Sequence, residues 1–535
     1  MAKAGENKLI FGDCLDVMLG ADDRGRLYIP DGSVDLVYLD PPFNSKANYN
    51  MIFGKGRDKQ AQMTAFTDTW QWGGQGTQDV AEIEGAVGHP AHRAIKGIYY
   101  TLGECGLMAY LGYMAKRLAV VHSKMKDTAS IYLHCDPTAS HYLKVVMDGI
   151  FDAQSFRNEI SWKRRSDIHN LAKKHMGKAH DIILYYGKSD KATYRRQFLD
   201  YSEEYISTHY KHKDKKGYYR ILPCTNESGG NKPYEFEGVT RSWRFEPKRM
   251  KQMLKENLLV QLSTGGPFYY KKYIKDAKGV PLQDIWLDIA PARGNESLGY
   301  PTQKPLALLE RIIQASSNPG ELVLDPFCGC GTTIAAAENL GRRWIGIDIS
   351  AATIRIVAAS RPELQMAKYD IFGIPKGMEE ARKLAQLNRL QYEHWAISTI
   401  PGLAPNDRRN QEGFDGIGSF NEPIPDGRGK VTKQTVTAEV KSSKGGVTAA
   451  QRSHLKNHTG SNNSQLGIFL TLDRDPATEK WCNQQGHYQL PGSATKYPRF
   501  QVFSAEQYFA GDHPNLPPLL DPMTGKPLQI PLPAP

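Results

Sequence analysis

The first 150 residues alternate short apolar runs with longer stretches whose apolar positions recur every three to four residues. Lys8–Phe11, Ser33–Leu39 and Ser130–His134 are runs of the first kind and predict strands; Leu107–Lys126 and Ala139–Phe151 carry helical spacing. Residues 160–163 and 181–186 predict two further strands, after which clear periodicity is lost until 304. The rhythm then resumes, with helices predicted over Pro305–Ala315, Thr332–Leu340 and Ala351–Ser360 and strands over Glu321–Leu324 and Arg343–Ile347. This alternation predicts a parallel sheet covered by helices, one α/β domain interrupted by an insertion. Beyond 361 the spacing predicts a helix over Glu379–Trp395 and then a β-rich segment. The proline-rich stretch from Leu516 predicts an extended or disordered tail.

At 535 residues the chain exceeds one core and suggests about three domains. With 40% hydrophobic and 23% charged residues it reads as globular. It has no apolar run of about 18 residues, which excludes a spanning helix. Its first residues lack the apolar stretch of a secretory signal. Seven scattered cysteines without a Cys-x-x-Cys pair point to reduced thiols and a cytoplasmic setting. The net charge is +11, and residues 161–290, with 26 basic and 15 acidic side chains, hold all of that excess together with 19 aromatics. Cations interleaved with rings suit a phosphate-tracking, base-stacking surface. Composition alone equally allows a solvated basic face.

Two motifs carry chemistry. Asp325-Pro326-Phe327-Cys328-Gly329-Cys330-Gly331-Thr332-Thr333 lies between a predicted strand and helix. Its glycines allow a tight turn and close approach of a ligand. A second strand ends in Asp348, where a carboxylate can accept from ribose hydroxyls. The third glycine of the dinucleotide fingerprint is missing, because Ile334 stands there, and the chain has no P-loop. Asp40-Pro41-Pro42-Phe43 closes an apolar strand and is far more specific. The lone pair of an exocyclic amino group is delocalised into its base. The Asp40 carboxylate and the Pro41 carbonyl can each accept one N–H, which draws the nitrogen toward tetrahedral geometry. Two prolines hold that carbonyl in place beforehand, and Phe43 offers a surface on which a flipped base can stack.

Together these residues resemble the amino-directed S-adenosylmethionine-dependent DNA methyltransferases, in the permuted class whose catalytic motif precedes its cofactor motif. The resemblance covers about 1–365. It implies an α/β, Rossmann-like methyltransferase sheet from 1–160 and 296–365, with a basic, aromatic target-recognition region inserted at 161–295. In that family Asp40, Pro41, Pro42 and Phe43 would be catalytic. Asp325, Phe327, Gly329, Gly331 and Thr332 would hold the methionine end of S-adenosylmethionine, and Asp348 its ribose. Thr302 and Lys304 would meet its carboxylate, and Asp13 and Cys14 its adenine side. Asp in the first motif position favours adenine N6 over cytosine N4. Carbon-5 chemistry is not expected, since Pro223-Cys224 lacks a partner Glu-Asn-Val. His134 and His141 read as structural or DNA-proximal rather than as metal ligands.

A smaller α/β domain is expected at 378–515, followed by a proline-rich tail at 516–535. Along Val436–Lys441 the two-residue period puts Val436, Ala438 and Val440 on one face and Glu439 and Lys441 on the other. With Asp415 this resembles the Asp…Glu-x-Lys restriction-nuclease fold, which implies Mg²⁺ held by Asp415 and Glu439 beside Lys441, with Glu393 a weaker third ligand. A solvated strand face, or a fold kept only for DNA contact, is the alternative. The expected partner is double-stranded DNA, not a membrane; a separate restriction or motor subunit and a homodimer also fit the resemblance. A chain that both methylates and cuts, a non-catalytic DNA-binding partner, and an RNA methyltransferase are the competing readings.

Overall fold

Val34–Leu39 is buried at every position, which is how a strand reads when helices cover both faces of its sheet. It belongs to a nine-stranded sheet in the computed structural model, which describes residues 7–22, 24–42, 49–52, 62–66, 70, 72–73, 75–164, 176–226, 232–296, 298, 303–406, 413–424, 431–443, 445–461, 464–520 and 528. In chain order the strands are Asn7–Phe11 (β1), Val34–Leu39 (β2), Met125–Cys135 (β3), Phe156–Lys163 (β4), His180–Gly187 (β5), Ile285–Trp286 (β6), Leu322–Asp325 (β7), Arg343–Asp348 (β8) and Tyr369–Phe372 (β9). Their order across the sheet is β6-β4-β5-β3-β2-β7-β8-β1-β9. All neighbours run parallel except that β5 is antiparallel to both β3 and β4. This is a Rossmann-like methyltransferase sheet, as expected.

Residues 7–39 and 322–348, far apart in the chain, meet at the sheet centre. Leu36 and Val37 pair with Val323 and Leu324, and β1 lies beside β8. The helices Gly106–Lys124 and Ser140–Phe151 pack apolar faces onto this sheet, with Met114, Leu118, Leu143 and Met147 fully buried among its side chains. Burial of this kind stabilises by about 25 cal/mol per Å² of apolar surface.

The chain divides into two compact units, Met1–Arg195 with Asp284–Pro535, and Arg196–Gln283. The second is narrower than the insertion expected at 161–295. Residues 161–163 and 180–187 are strands of the large sheet, and so are 285–286. Arg196–Gln283 holds a four-stranded antiparallel sheet in which Gly217–Pro223 and Phe268–Tyr273 are central. Its small core contains Cys224, Trp243, Met250 and Phe268. Its entry and exit lie side by side, since Phe198–Leu199 pairs with Val280–Pro281.

The C-terminal part of the first unit forms a second sheet, in which Leu403–Pro405, Gly416–Pro423, Val431–Lys441, Ser464–Thr471 and Phe500–Ser504 are neighbours in that order. The single helix expected over Glu379–Trp395 is two helices, Met378–Leu387 and Arg389–Ser398. Asn388 is extended between them, and its side chain accepts from Gln391 N–H and starts a new helix. The start of the tail is extended and tied down. Leu520 N–H donates to the Ser419 carbonyl, and Leu519 and Leu520 are buried. No helix among the described residues is long and apolar enough to cross a membrane.

Candidate active site

In a parallel sheet, ligands collect at the carboxyl ends of the strands, and here β1, β2, β7 and β8 end together around an open cleft. Of the residues expected to act there, Asp13, Cys14, Asp40, Pro42, Lys304, Asp325, Phe327, Gly329, Thr332 and Asp348 line it. Pro41 is buried. Gly331 adopts the left-handed conformation, with φ +75°, and a Cβ there would lie 2.9 Å from Val357 Cγ1. Phe43 and Thr302 lie outside the described residues.

Asp40 follows β2. The Lys304 ammonium pairs with its Oδ2, so the residue expected near the cofactor's carboxylate also bears on the proposed catalytic acid. Asp40 Oδ1 is buried and has no hydrogen-bond partner among the described residues. An acceptor left bare in the interior is costly unless a ligand donates to it.

Asp325 closes β7 and accepts from Phe327 N–H at 3.0 Å. Burial pushes its carboxyl up to about 7, against the bonds from Thr333 and Phe327. Asp348 closes β8. Its Oδ2 accepts from Gly329 N–H at 3.0 Å and its Oδ1 from Ser350 N–H at 2.8 Å, yet burial still pushes it up to about 6. The Gly329 bond ties the glycine loop to the end of the neighbouring strand.

Asp13 caps the helix Cys14–Leu19 by accepting from Leu15 N–H at 2.8 Å. Both its oxygens also accept from Arg117 Nη2, at 2.9 and 2.7 Å. Arg117 stacks over the Tyr113 ring, 3.3 Å from its centroid. The Cys14 thiol is buried and pushed up to about 12 by desolvation. Gln303, from the segment expected to meet the cofactor's carboxylate, also lines the cleft, and so do Tyr38, Tyr113, Leu309 and Ile349, which sequence reasoning missed. Tyr38 carried a usable signal, since it shares the Asp40 face of β2 by the two-residue period.

His134 is fully buried between Tyr38 and Asp181. Cys224 is a core residue of the Arg196–Gln283 unit, and burial pushes its thiol up to about 12.

Asp415 Oδ2 accepts from Val440 N–H at 2.8 Å, and Glu439 Oε1 pairs with Lys441 Nζ at 3.1 Å. Glu393 pairs with Arg389 at 3.1 Å. Among the described residues no group of three or more His, Cys, Asp or Glu side chains is arranged to hold a metal ion. Asp415 and Glu439, expected to hold Mg²⁺ beside Lys441, accept here from a backbone amide and from that lysine.

A glycine loop and acidic strand ends over the carboxyl edge of this sheet define a protein of the Rossmann-like methyltransferase class. The family model described as DNA methylase matches residues 34–359, and the chain belongs to that family. It is similar to type II methyltransferase M.EcaI of Enterobacter cloacae, 32% identical over 250 residues, 45% of this chain and 55% of that one. It is also similar to the Mod subunit of the type III restriction-modification enzyme StyLTI of Salmonella typhimurium, 27% identical over 361 residues, 63% of this chain and 50% of that one. The chain thus spans about half the length of these curated relatives. Among solved structures, the cytosine-N4-specific PvuII DNA methyltransferase aligns with a TM-score of 0.34 at 14% identity, over 69% of this chain and 98% of that one.

Proposed function

We propose that the chain transfers a methyl group from S-adenosylmethionine to the exocyclic amino group of a base in double-stranded DNA, adenine N6 ahead of cytosine N4. The observation that carries the reading is the bare, buried Asp40 Oδ1 in the same cleft as the glycine loop and Asp348. The cleft suits the cofactor: Asp325 and Asp348 favour a cationic, hydroxyl-bearing ligand, Phe327 and Ile349 an aromatic one, and Gly331 keeps the loop clear of Val357. When bound, the cofactor supplies an electrophilic methyl on a sulfonium.

The chain's own groups then do the rest. Lys304 holds Oδ2, so Asp40 turns its other oxygen to the substrate. Oδ1 and the Pro41 carbonyl accept the two N–H bonds of the amino group and free its lone pair. The Asp40 carboxylate also stabilises the positive charge that develops on the nitrogen as the methyl arrives. A base inside a duplex cannot reach such a cleft, so the target is flipped out, with Phe43 as the stacking surface. The Arg196–Gln283 unit would read the target, and the permuted motif order is that of the chain itself.

A second reading gives the C-terminal sheet a cutting role, favoured by Glu439 Oε2, which is buried and unpartnered among the described residues beside Lys441.

One experiment addresses both. Labelled cofactor is incubated with plasmid DNA and total RNA, with and without Mg²⁺, followed by methylation-aware sequencing and a nicking assay. Label on adenine N6 at a defined site is expected, and Asp40→Ala should lower transfer by at least about 10²–10³-fold while cofactor still binds. Label confined to RNA would reject the proposal, and methylation without nicking would reject the second reading.

A further inference from the structure

The mechanism leaves one buried polar chain unused. Tyr38 Oη lies 2.9 Å from His134 Nδ1, and His134 Nε2 lies 3.1 Å from Asp181 Oδ2. Asp181 Oδ1 in turn faces Arg164 at 3.3 Å. Tyr38, His134 and Asp181 are almost wholly buried, and the ring of His134 meets the edge of Trp162. Tyr38 also lines the cleft.

Hydrogen-bond direction along this chain is fixed from its far end. A carboxylate only accepts, so His134 must carry its proton on Nε2. The ion pairs Lys304–Asp40 and Arg164–Asp181 already balance each other. A protonated imidazole among them would be an uncompensated buried charge. Burial, with the Lys304 ammonium second, holds His134 below its ordinary value. Neutral His134 therefore has a bare Nδ1, and the single proton of Tyr38 is donated to it. Toward the cleft the Tyr38 oxygen can act only as an acceptor.

What it accepts follows from counting. The amino group of the base has two N–H bonds, already matched by Asp40 Oδ1 and the Pro41 carbonyl. Tyr38 is one acceptor too many for the base. By the β2–β7 register, which pairs Val37 with Leu324, Tyr38 stands beside Asp325 at the strand ends. The other N–H-rich group expected in the cleft is the ammonium of the cofactor's methionine, with three donors. We propose that the Tyr38 hydroxyl oxygen, oriented by the His134–Asp181 pair, accepts from this ammonium next to Asp325. The inference rests on the cofactor reading above. Tyr38 is the contact; His134 and Asp181 are positioning residues.

The test is calorimetric binding of S-adenosylhomocysteine, and of its analogue lacking the amino group, without DNA. Wild type should bind the analogue roughly 10–100-fold more weakly, the worth of a hydrogen bond to a charged group. Tyr38→Phe should lose a similar factor for S-adenosylhomocysteine and discriminate far less between the two ligands. In a second measurement on the wild-type chain, with ¹⁵N-histidine labelling and the signal assigned by His134→Gln, His134 should show a protonated Nε2 and a bare Nδ1. Failure of wild type to bind S-adenosylhomocysteine would overturn the cofactor reading itself. Binding by wild type with undiminished discrimination in Tyr38→Phe would overturn this inference alone. So would a proton on Nδ1, or a Tyr38→Phe variant that binds normally but fails to transfer at saturating cofactor, which would put the oxygen on the base.

Discussion

Asp325 and Asp348 sit where charge is hardest to keep, and their titration sets opposite demands on folding and on binding. An unfolded carboxyl titrates near pH 4, whereas burial pushes Asp325 up to about 7 and Asp348 up to about 6. Between those limits the folded chain holds protons that the unfolded chain has released, so this contribution to stability shrinks as pH rises from about 4 to about 7. A cationic ligand prefers the ionised carboxylates, so its affinity should grow across the same window. Urea midpoints of wild type and Asp325→Asn should therefore converge or cross as pH rises, wild type losing more. Calorimetric affinity of wild type for S-adenosylmethionine should meanwhile increase, and flatten in Asp348→Asn. Stability that climbs together with affinity over this range would contradict the assignment. The acids themselves were legible, because each ends an apolar run and precedes a turn. Arg117 was not. It lies on a helix whose other buried positions, Lys124 at its end excepted, are apolar, and its purpose appears only with Asp13, 104 residues away in the chain.

At the scale of the element, the turn between β7 and the helix Thr332–Asn339 depends on a backbone that only glycine adopts freely. Gly331, with φ +75°, and Gly341, with φ +69°, bracket this helix. Alanine at either loses about 1–2 kcal/mol to the left-handed conformation. At Gly341 nothing lies within 4 Å of a new Cβ, while at Gly331 it would press on Val357, adding about 1–3 kcal/mol for overpacking. Thermal denaturation should rank Gly331→Ala below Gly341→Ala, and Val357→Ala should restore part of the difference. Equal losses, or no rescue, would remove the contact from the account. Gly331 and the strands around it could be read from the sequence because β2, β7 and β8, covered on both faces, leave continuous apolar runs. The break at Asn388 could not, because helical spacing continues across it. What divides the segment is a side-chain cap, which acts locally and leaves the apolar pattern untouched.

For the whole molecule, the candidate site joins two stretches of chain nearly 290 residues apart, since it exists only once β2 lies against β7. The Arg196–Gln283 unit falls between them in sequence but leaves and re-enters through adjacent strands, Phe198–Leu199 and Val280–Pro281. Gln197 also accepts from Leu282 N–H at 3.0 Å. A short turn can therefore replace residues 200–279 without stretching either end. With 17 basic and 10 acidic side chains this unit carries much of the chain's positive excess. If this unit binds DNA, the exposed Lys211, Lys213, Lys215, Lys248 and Lys251 would release counterions from its phosphates. If the unit supplies the DNA contacts, the excised protein should bind S-adenosylhomocysteine within about threefold of wild type, because Asp40, Asp325 and Asp348 all lie outside the deletion. Its DNA affinity should collapse, and the slope of log affinity against log salt should flatten by about one unit for each phosphate contact removed. Substituting Lys211, Lys213 and Lys215 by alanine in the full chain should flatten that slope by up to about three units, equally on every DNA sequence. Fluorescence anisotropy across a salt series reads both. An excised protein that still methylates DNA with the wild-type salt dependence would move the DNA contacts out of this unit and onto the rest of the chain.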